Sequence, residues 1–134
     1  MRVLITDGNE RAALAVTRAL GREQVEVVVG ADTQRSLAGS SRYCRKNFVY
    51  PSPHENPAGF VATILEMVRD HDIDAVFPIS DIAMHLIGPE RAQFERFTRL
   101  PSPPAEVFQE ISDKYRLMQR AVSEGVGIPE TIFV

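Results

Sequence analysis

Two short stretches hold most of the residues able to do chemistry. The first is Asp7-Gly8-Asn9-Glu10, acidic and turn-forming, placed directly after an apolar run. The second is Ser112-Asp113-Lys114, which opens a helical pattern carrying Lys114, Arg116 and Arg120 and runs on to Gly125-Val126-Gly127-Ile128-Pro129. A lysine at a helix start can reach a phosphate alongside free backbone N–H groups. It also opposes the helix dipole, a mild penalty that sets Lys114 above a random surface lysine and leaves a phosphate contact and a solvated lysine as equal readings. Two further sites follow apolar runs: Asp32 after residues 25–30, and Ser80-Asp81 after residues 75–79.

Several chemistries fail on residue type or spacing. A dinucleotide site needs glycines that let backbone approach a pyrophosphate. Here Gly8 is followed by Glu10 and Ala13 at the next two glycine positions, and Glu10 adds bulk and negative charge. Asp32 alone sits where a ribose-binding acid would. A phospho-acceptor domain needs an aspartate after the third strand, and residues 51–55 contain none. His54, His71 and His85 have no metal-ligand spacing, so no metal site is assigned. No Gly-x-Ser-x-Gly elbow occurs, and no catalytic residue is assigned. Cys44 is the only cysteine, which rules out an intrachain disulfide; it reads as a small buried hydrophobe.

The net charge of −3 gives no global attraction to nucleic acid or to an anionic membrane. Arg42, Tyr43, Arg45, Lys46 and Phe48 interleave basic and aromatic residues, but the run is short and reads as a solvated loop or a subunit contact. No apolar stretch approaches the ~18 residues of a membrane span, and the N-terminus lacks the layout of a signal peptide. A cytoplasmic setting is expected.

The elements that must position these residues alternate. With 134 residues, 44% of them hydrophobic, the chain can bury a core of its own. Residues 2–6 read as a strand, 10–22 as a helix, and 25–30 as a strand buried on both faces. Residues 31–41 read as a loop or a short helix, and Gly21 as a loosening of the first helix end. A third strand is expected at 47–50. Asn56-Pro57 starts a helix with its stripe on Phe60, Ile64, Leu65 and Val68. A fourth strand spans 75–79, and Ser80 caps a helix ending near Ile87. A fifth short strand is expected at 97–100, and a brief helix at 106–110. Ser112 or Asp113 caps a last helix reaching Glu124, Gly125 stops it, and residues 131–134 read as a strand. This order predicts an α/β, three-layer Rossmann-like domain with a mostly parallel sheet of four to five strands. Ligands of such sheets sit outside the carboxyl ends of the strands.

Residues 112–134, SDKYRLMQRAVSEGVGIPETIFV, resemble the junction between the front domain and the ATP-grasp region of ATP-grasp ligases. In these, an Asp-Lys pair starts a helix and a Gly-(Val/Ile)-Pro segment follows. Residues 2–33 are similar to the first βαβ unit of the carbamoyl-phosphate-synthase-like branch, and residues 72–81, DIDAVFPISD, to its fourth strand. The likeness spans nearly the whole chain in order. One departure is Gln24, where the family often has glycine before the second strand.

The resemblance implies a pre-ATP-grasp, substrate-side domain over residues 1–111 and the start of an ATP-grasp region over 112–134. The activity it implies is ATP-dependent joining of a carboxylate to an amine, or a carbamoyl-phosphate-type reaction, through an acyl phosphate. Lys114 becomes an ATP-phosphate contact, and Gly8, Asn9, Glu10, Ser80 and Asp81 border the substrate pocket. Glu10 and Asp81 suit an amine-bearing group, or serve only their helix starts. ATP and Mg2+ belong to the full-length protein, because the metal-binding acids, the second lysine and the glycine-rich flap of the family lie beyond residue 134. This chain alone is expected to be inactive and to bind ATP weakly or not at all. Its expected partners are a small carboxylate or amine, the further ATP-grasp region in cis or as a separate chain, and room for a homodimer. An apolar last strand reads as a fragment boundary or as one half of a split protein. The alternative is a free-standing, non-catalytic Rossmann-like binding or interaction module.

Overall fold

The computed structural model describes residues 1–131, and the expected final strand lies almost wholly outside the described residues. The chain divides into two compact units, Met1–Ser102 and Pro103–Val134.

The first unit contains β1 (Arg2–Ile5), α1 (Arg11–Arg22), β2 (Glu26–Ala31), β3 (Cys44–Val49), α2 (Pro57–Asp70), β4 (Ala75–Phe77), α3 (Asp81–Ile87) and α4 (Arg91–Phe94). The four strands form one sheet in the order β3-β2-β1-β4, with every pairing parallel. Period-2 alternation along the strands sends Leu4, Val28 and Val76 to one face. There they meet Phe60, Ile64 and Val68 of α2, Ala83 and Ile87 of α3, and Phe94 of α4. Val3, Ile5, Val27 and Val29 face the other way, against Ala13 of α1. Both faces are covered, which is why β2 reads as a nearly unbroken β-branched run. This is the expected α/β Rossmann-like architecture, with four strands.

Two strand expectations change. β3 begins at Cys44 rather than at 47, because an edge strand needs no apolar pattern on its exposed positions. Its register jumps from Val27↔Cys44 to Val28↔Lys46, so Arg45 is an extra residue in the ladder. Charge and a bulge on an edge strand both discourage pairing with another chain. The expected strand at 97–100 reduces to a single parallel bridge, Ala75↔Arg99. Arg99 exchanges bonds with the β4 side through Asp74 O and the Val76 N–H. Thr98 is held in a turn by Phe94 O, and Pro101 has no N–H to extend a ladder.

Two helix ends use the same motif. After α1, the Gln24 N–H donates to Gly21 O and the Val25 N–H to Leu20 O, the paired bonds of a Schellman cap. Gln24 sits at the left-handed position, φ 60°. After α6 (Lys114–Ser123), Gly125 fills that position at φ 71°, with Gly125 N–H to Val122 O and Val126 N–H to Ala121 O. Gly21 does more than loosen α1. A Cβ built on it meets Tyr43 Cβ at 2.4 Å, so its bareness is what lets the loop before β3 lie against the helix.

The second unit holds α5 (Ala105–Ser112) and α6. Asp113 caps α6, its carboxylate accepting from the N–H groups of Tyr115 and Arg116 at 3.0 and 3.2 Å. Arg120 pairs with Glu110 between the two helices. Neither helix has a buried residue, and Val107, Ile111, Leu117 and Val122 stay about half exposed. Helices this short are marginal on their own in water.

Candidate functional site

An open cleft of about 180 Å3 lies at the carboxyl ends of the strands, where the topology directs ligands. Its walls come from the turn after β1 (Asp7, Gly8, Asn9, Glu10), from Asp32 after β2, from Tyr50, Pro53 and His54 after β3, and from Ser80 and Ile82 after β4.

Asp7 ties these loops together. It adopts φ 58°, and its carboxylate accepts from the N–H groups of Ile79 at 3.2 Å and Ser80 at 3.0 Å and from the Thr6 hydroxyl. Aspartate tolerates this left-handed conformation better than most residues. The Asp7 N–H donates to Tyr50 Oη at 2.8 Å. Tyr50 is 3% exposed, its ring edge-on to Phe60 at 4.8 Å. Burial, reinforced by the Asp7 carboxylate, pushes its phenol well above the ordinary tyrosine value. Tyr50 therefore stays neutral and keeps its proton.

Gly8 lets the turn pass under the following loop: a Cβ there meets Ser36 Oγ at 2.7 Å and Val29 Cγ1 at 2.8 Å. The Gly8 N–H donates to Gly30 O, and Gly8 O accepts from the Ala38 N–H. Asn9 Nδ2 donates to Asp32 Oδ1 at 3.1 Å and Thr33 Oγ1 at 3.0 Å, linking the β1 and β2 turns. Glu10 is the N-cap residue of α1 without a side-chain cap bond, so its exposed carboxylate is uncommitted.

Gly8, Asn9, Glu10 and Ser80 thus converge on one cleft. Ser80 Oγ caps α3 by accepting the Ala83 N–H at 3.2 Å. Asp81 is the exposed first residue of α3, and the wall there is formed by Ser80 and Ile82. Lys114 is the exposed first residue of α6 and belongs to the second unit. Sequence reasoning did not assign Tyr50 or His54 to the site; the available signal for Tyr50 was an aromatic at the carboxyl end of a strand.

Asp7, Glu10 and Asp32 face the cleft, and no lysine or arginine lines it. A triphosphate does not fit such a field, and like charges this close cost affinity. Among the described residues no group of three His, Cys, Asp or Glu side chains is placed to hold a metal ion. The cleft by itself suits a cationic or hydrogen-bond-donating group.

No family model matches the sequence, and no curated protein does. Solved structures do match in fold. An L-amino acid ligase from Bacillus licheniformis superposes with a TM-score of 0.75 at 12% identity, over 96% of this chain and 31% of the ligase. The biotin carboxylase domain of a single-chain bacterial carboxylase gives 0.69 at 22%, over 97% and 30%. The biotin carboxylase domain of the Hydrogenobacter thermophilus 2-oxoglutarate carboxylase, in complex with MgADP, ADP and bicarbonate, gives 0.65 at 16%, over 93% and 27%. These are ATP-grasp enzymes, and the chain has the α/β fold of the part it covers. It spans under a third of the length of each.

Proposed function

We propose that this chain is the substrate-side domain of an ATP-dependent carboxylate–amine ligase that works through an acyl phosphate. The observation that carries the reading is the cleft at the carboxyl ends of the strands, lined by Asp7, Glu10 and Asp32 and by no lysine or arginine, on a fold similar to that of an L-amino acid ligase. The cleft takes the amine-bearing substrate, with Glu10 and Asp32 facing its charge and the neutral Tyr50 hydroxyl as floor. ATP and Mg2+ are held mainly by a further region, in cis or on a partner chain, and Lys114 contributes a phosphate contact. The half-exposed apolar side chains of α5 and α6 are the surface that region covers. Alone, the domain does not turn over.

The test uses this chain and the native polypeptide that contains it. The part of the chain's ATP affinity that Lys114→Met removes corresponds to a Kd of about 1 mM or weaker, roughly −4 kcal/mol; submicromolar binding lost in that variant would overturn the division of labour. The native polypeptide, alone or with its partner, forms ADP only when both a carboxylate and an amine are present. Glu10→Gln raises the amine KM there and leaves the ATP KM unchanged, whereas Lys114→Met does the reverse. A native polypeptide no longer than this chain, with no partner and no ADP formation, would leave the non-catalytic binding module as the reading.

A further inference from the structure

A second concave surface lies at the other end of the sheet. Arg18 and Arg22 stand at i and i+4 on the last turns of α1, and Ser40, Ser41, Arg42 and Tyr43 precede β3. Together they line an open depression of about 400 Å3. β2 starts at Glu26 and β3 at Cys44, so the depression sits at the amino ends of the strands, away from the cleft.

Three guanidinium groups converge there, and no carboxylate lines the depression. Some arginines elsewhere pair with a carboxylate, Arg2 with Glu26 at 3.0 Å and Arg91 with Glu95 at 2.7 Å, and others, such as Arg96 and Arg99, are exposed without an ion pair among the described residues. Among the described residues Arg18, Arg22 and Arg42 form no ion pair. Like charges at i,i+4 destabilise a helix by about 0.2–0.5 kcal/mol, an amount that the place of Arg22 in the last turn of α1 offsets through the helix dipole.

The depression is also built. Bare Gly21 seats Tyr43, whose Cβ would otherwise clash. Tyr43 in turn fixes one of the cations: Arg42 Nη2 donates to its hydroxyl at 2.9 Å, and the Arg42 guanidinium lies 4.9 Å from its ring centroid. Ser41 Oγ accepts the Tyr43 N–H at 3.3 Å and keeps its own proton to donate. Guanidinium forks match phosphate oxygens in pairs. A single carboxylate would leave two of the three cations unmatched, whereas a phosphate chain offers several negative oxygens along its length.

We propose that this depression binds a small molecule through a di- or triphosphate group. The surface is too short to track a nucleic-acid strand, and the overall charge of −3 opposes one. A nucleoside triphosphate and free inorganic polyphosphate share the recognised chemistry. The proposal is independent of the acidic cleft and of Lys114.

Calorimetric titration of this chain with inorganic tripolyphosphate at physiological ionic strength tests it. Saturable one-to-one binding is expected, weakened at least fivefold by each of Arg18→Gln, Arg22→Gln and Arg42→Gln, and less than twofold by Arg96→Gln or Arg99→Gln. Orthophosphate should bind at least tenfold more weakly. ATP matching tripolyphosphate means that only the phosphate chain is read, and ATP binding tenfold tighter means that a nucleoside is read as well; both support the site. No saturable binding, equal losses in all five variants, or equal affinity for orthophosphate would each overturn it. So would failure of tripolyphosphate combined with saturable binding of a short RNA, or with concentration-dependent dimerisation abolished by Arg18→Gln.

Discussion

Tyr50 Oη accepts the backbone N–H of Asp7 at 2.8 Å, joining the turn after β1 to the end of β3 across 43 residues of sequence. The bond holds the left-handed Asp7 in place, and through its carboxylate the loop after β4. Tyr50→Phe deletes the acceptor and should destabilise the chain by about 1–3 kcal/mol. The same residue fixes a pH dependence. Its folded pKa lies above the unfolded value, by burial first and the Asp7 carboxylate second. Its contribution is therefore complete below about pH 10 and is lost as pH rises further, by at most about 1.4 kcal/mol per pH unit. Urea unfolding between pH 8 and 11 should show a shallower alkaline decline in Tyr50→Phe. An unchanged slope would mean that Tyr50 ionises freely in the fold.

The two Schellman caps set up a controlled comparison. Gln24 occupies at φ 60° the position that Gly125 fills at φ 71°. A side chain in this conformation costs roughly 1 kcal/mol, so Gln24→Gly should raise stability by about that amount. Gly125→Ala, with nothing within 4 Å of the new Cβ, should lower local helix stability by a similar amount for purely backbone reasons. Urea midpoints for the first, and amide exchange in α6 for the second, would check both signs.

Gly21 invites the opposite substitution and should punish it. Alanine is favoured over glycine inside a helix by about 1 kcal/mol. At this position the new methyl lies 2.4 Å from Tyr43 Cβ and 2.7 Å from its ring, and overpacking of this kind costs about 1–3 kcal/mol. Gly21→Ala should therefore be neutral to destabilising, with a change in the near-ultraviolet signal of Tyr43. A gain of a full 1 kcal/mol would show that the loop simply moves away.

Tyr43 should titrate below ordinary tyrosine. The Arg42 hydrogen bond is the main cause, with Arg22 adding to it. Arg42→Gln should bring the value back up, read as phenolate absorbance against pH, while Arg96→Gln should not. Identical curves would place the guanidinium away from the ring in solution.

Features encoded locally were legible in the sequence. Asn56 accepts the Gly59 N–H at 2.9 Å with Pro57 behind it, and Ser80 and Asp113 cap the next two strongly signalled helices. Each signal spans about four residues and needs no tertiary partner. The start of β3 was not legible, because an edge strand with Arg45 and Lys46 facing outward carries no alternation. The strand expected at 97–100 had the right composition but is stopped by Pro101. In the cleft, the turn residues Gly8, Asn9, Glu10 and Ser80 follow from the rule about carboxyl ends. Tyr50 directly follows β3 and was within reach of the same rule, whereas His54 lies further along the loop after β3 and had no local signal.

The sheet order also dictates when the fold can be completed. Arg2 meets Glu26 after 24 residues, but meets Asp74 only after 72. Closing the longer loop costs about 1 kcal/mol more entropy, a modest thermodynamic difference with a larger kinetic meaning. On the ribosome β1 is made first and can take up β2 and then β3 as they emerge. Its other edge, central in the finished sheet, stays bare until β4 has cleared the exit tunnel. During that interval the most apolar strand pair of the domain offers a row of unsatisfied backbone groups to whatever is nearby. The vulnerable stage in the life of this chain is thus its synthesis, and the charged bulge on β3 guards only the edge that remains open afterwards.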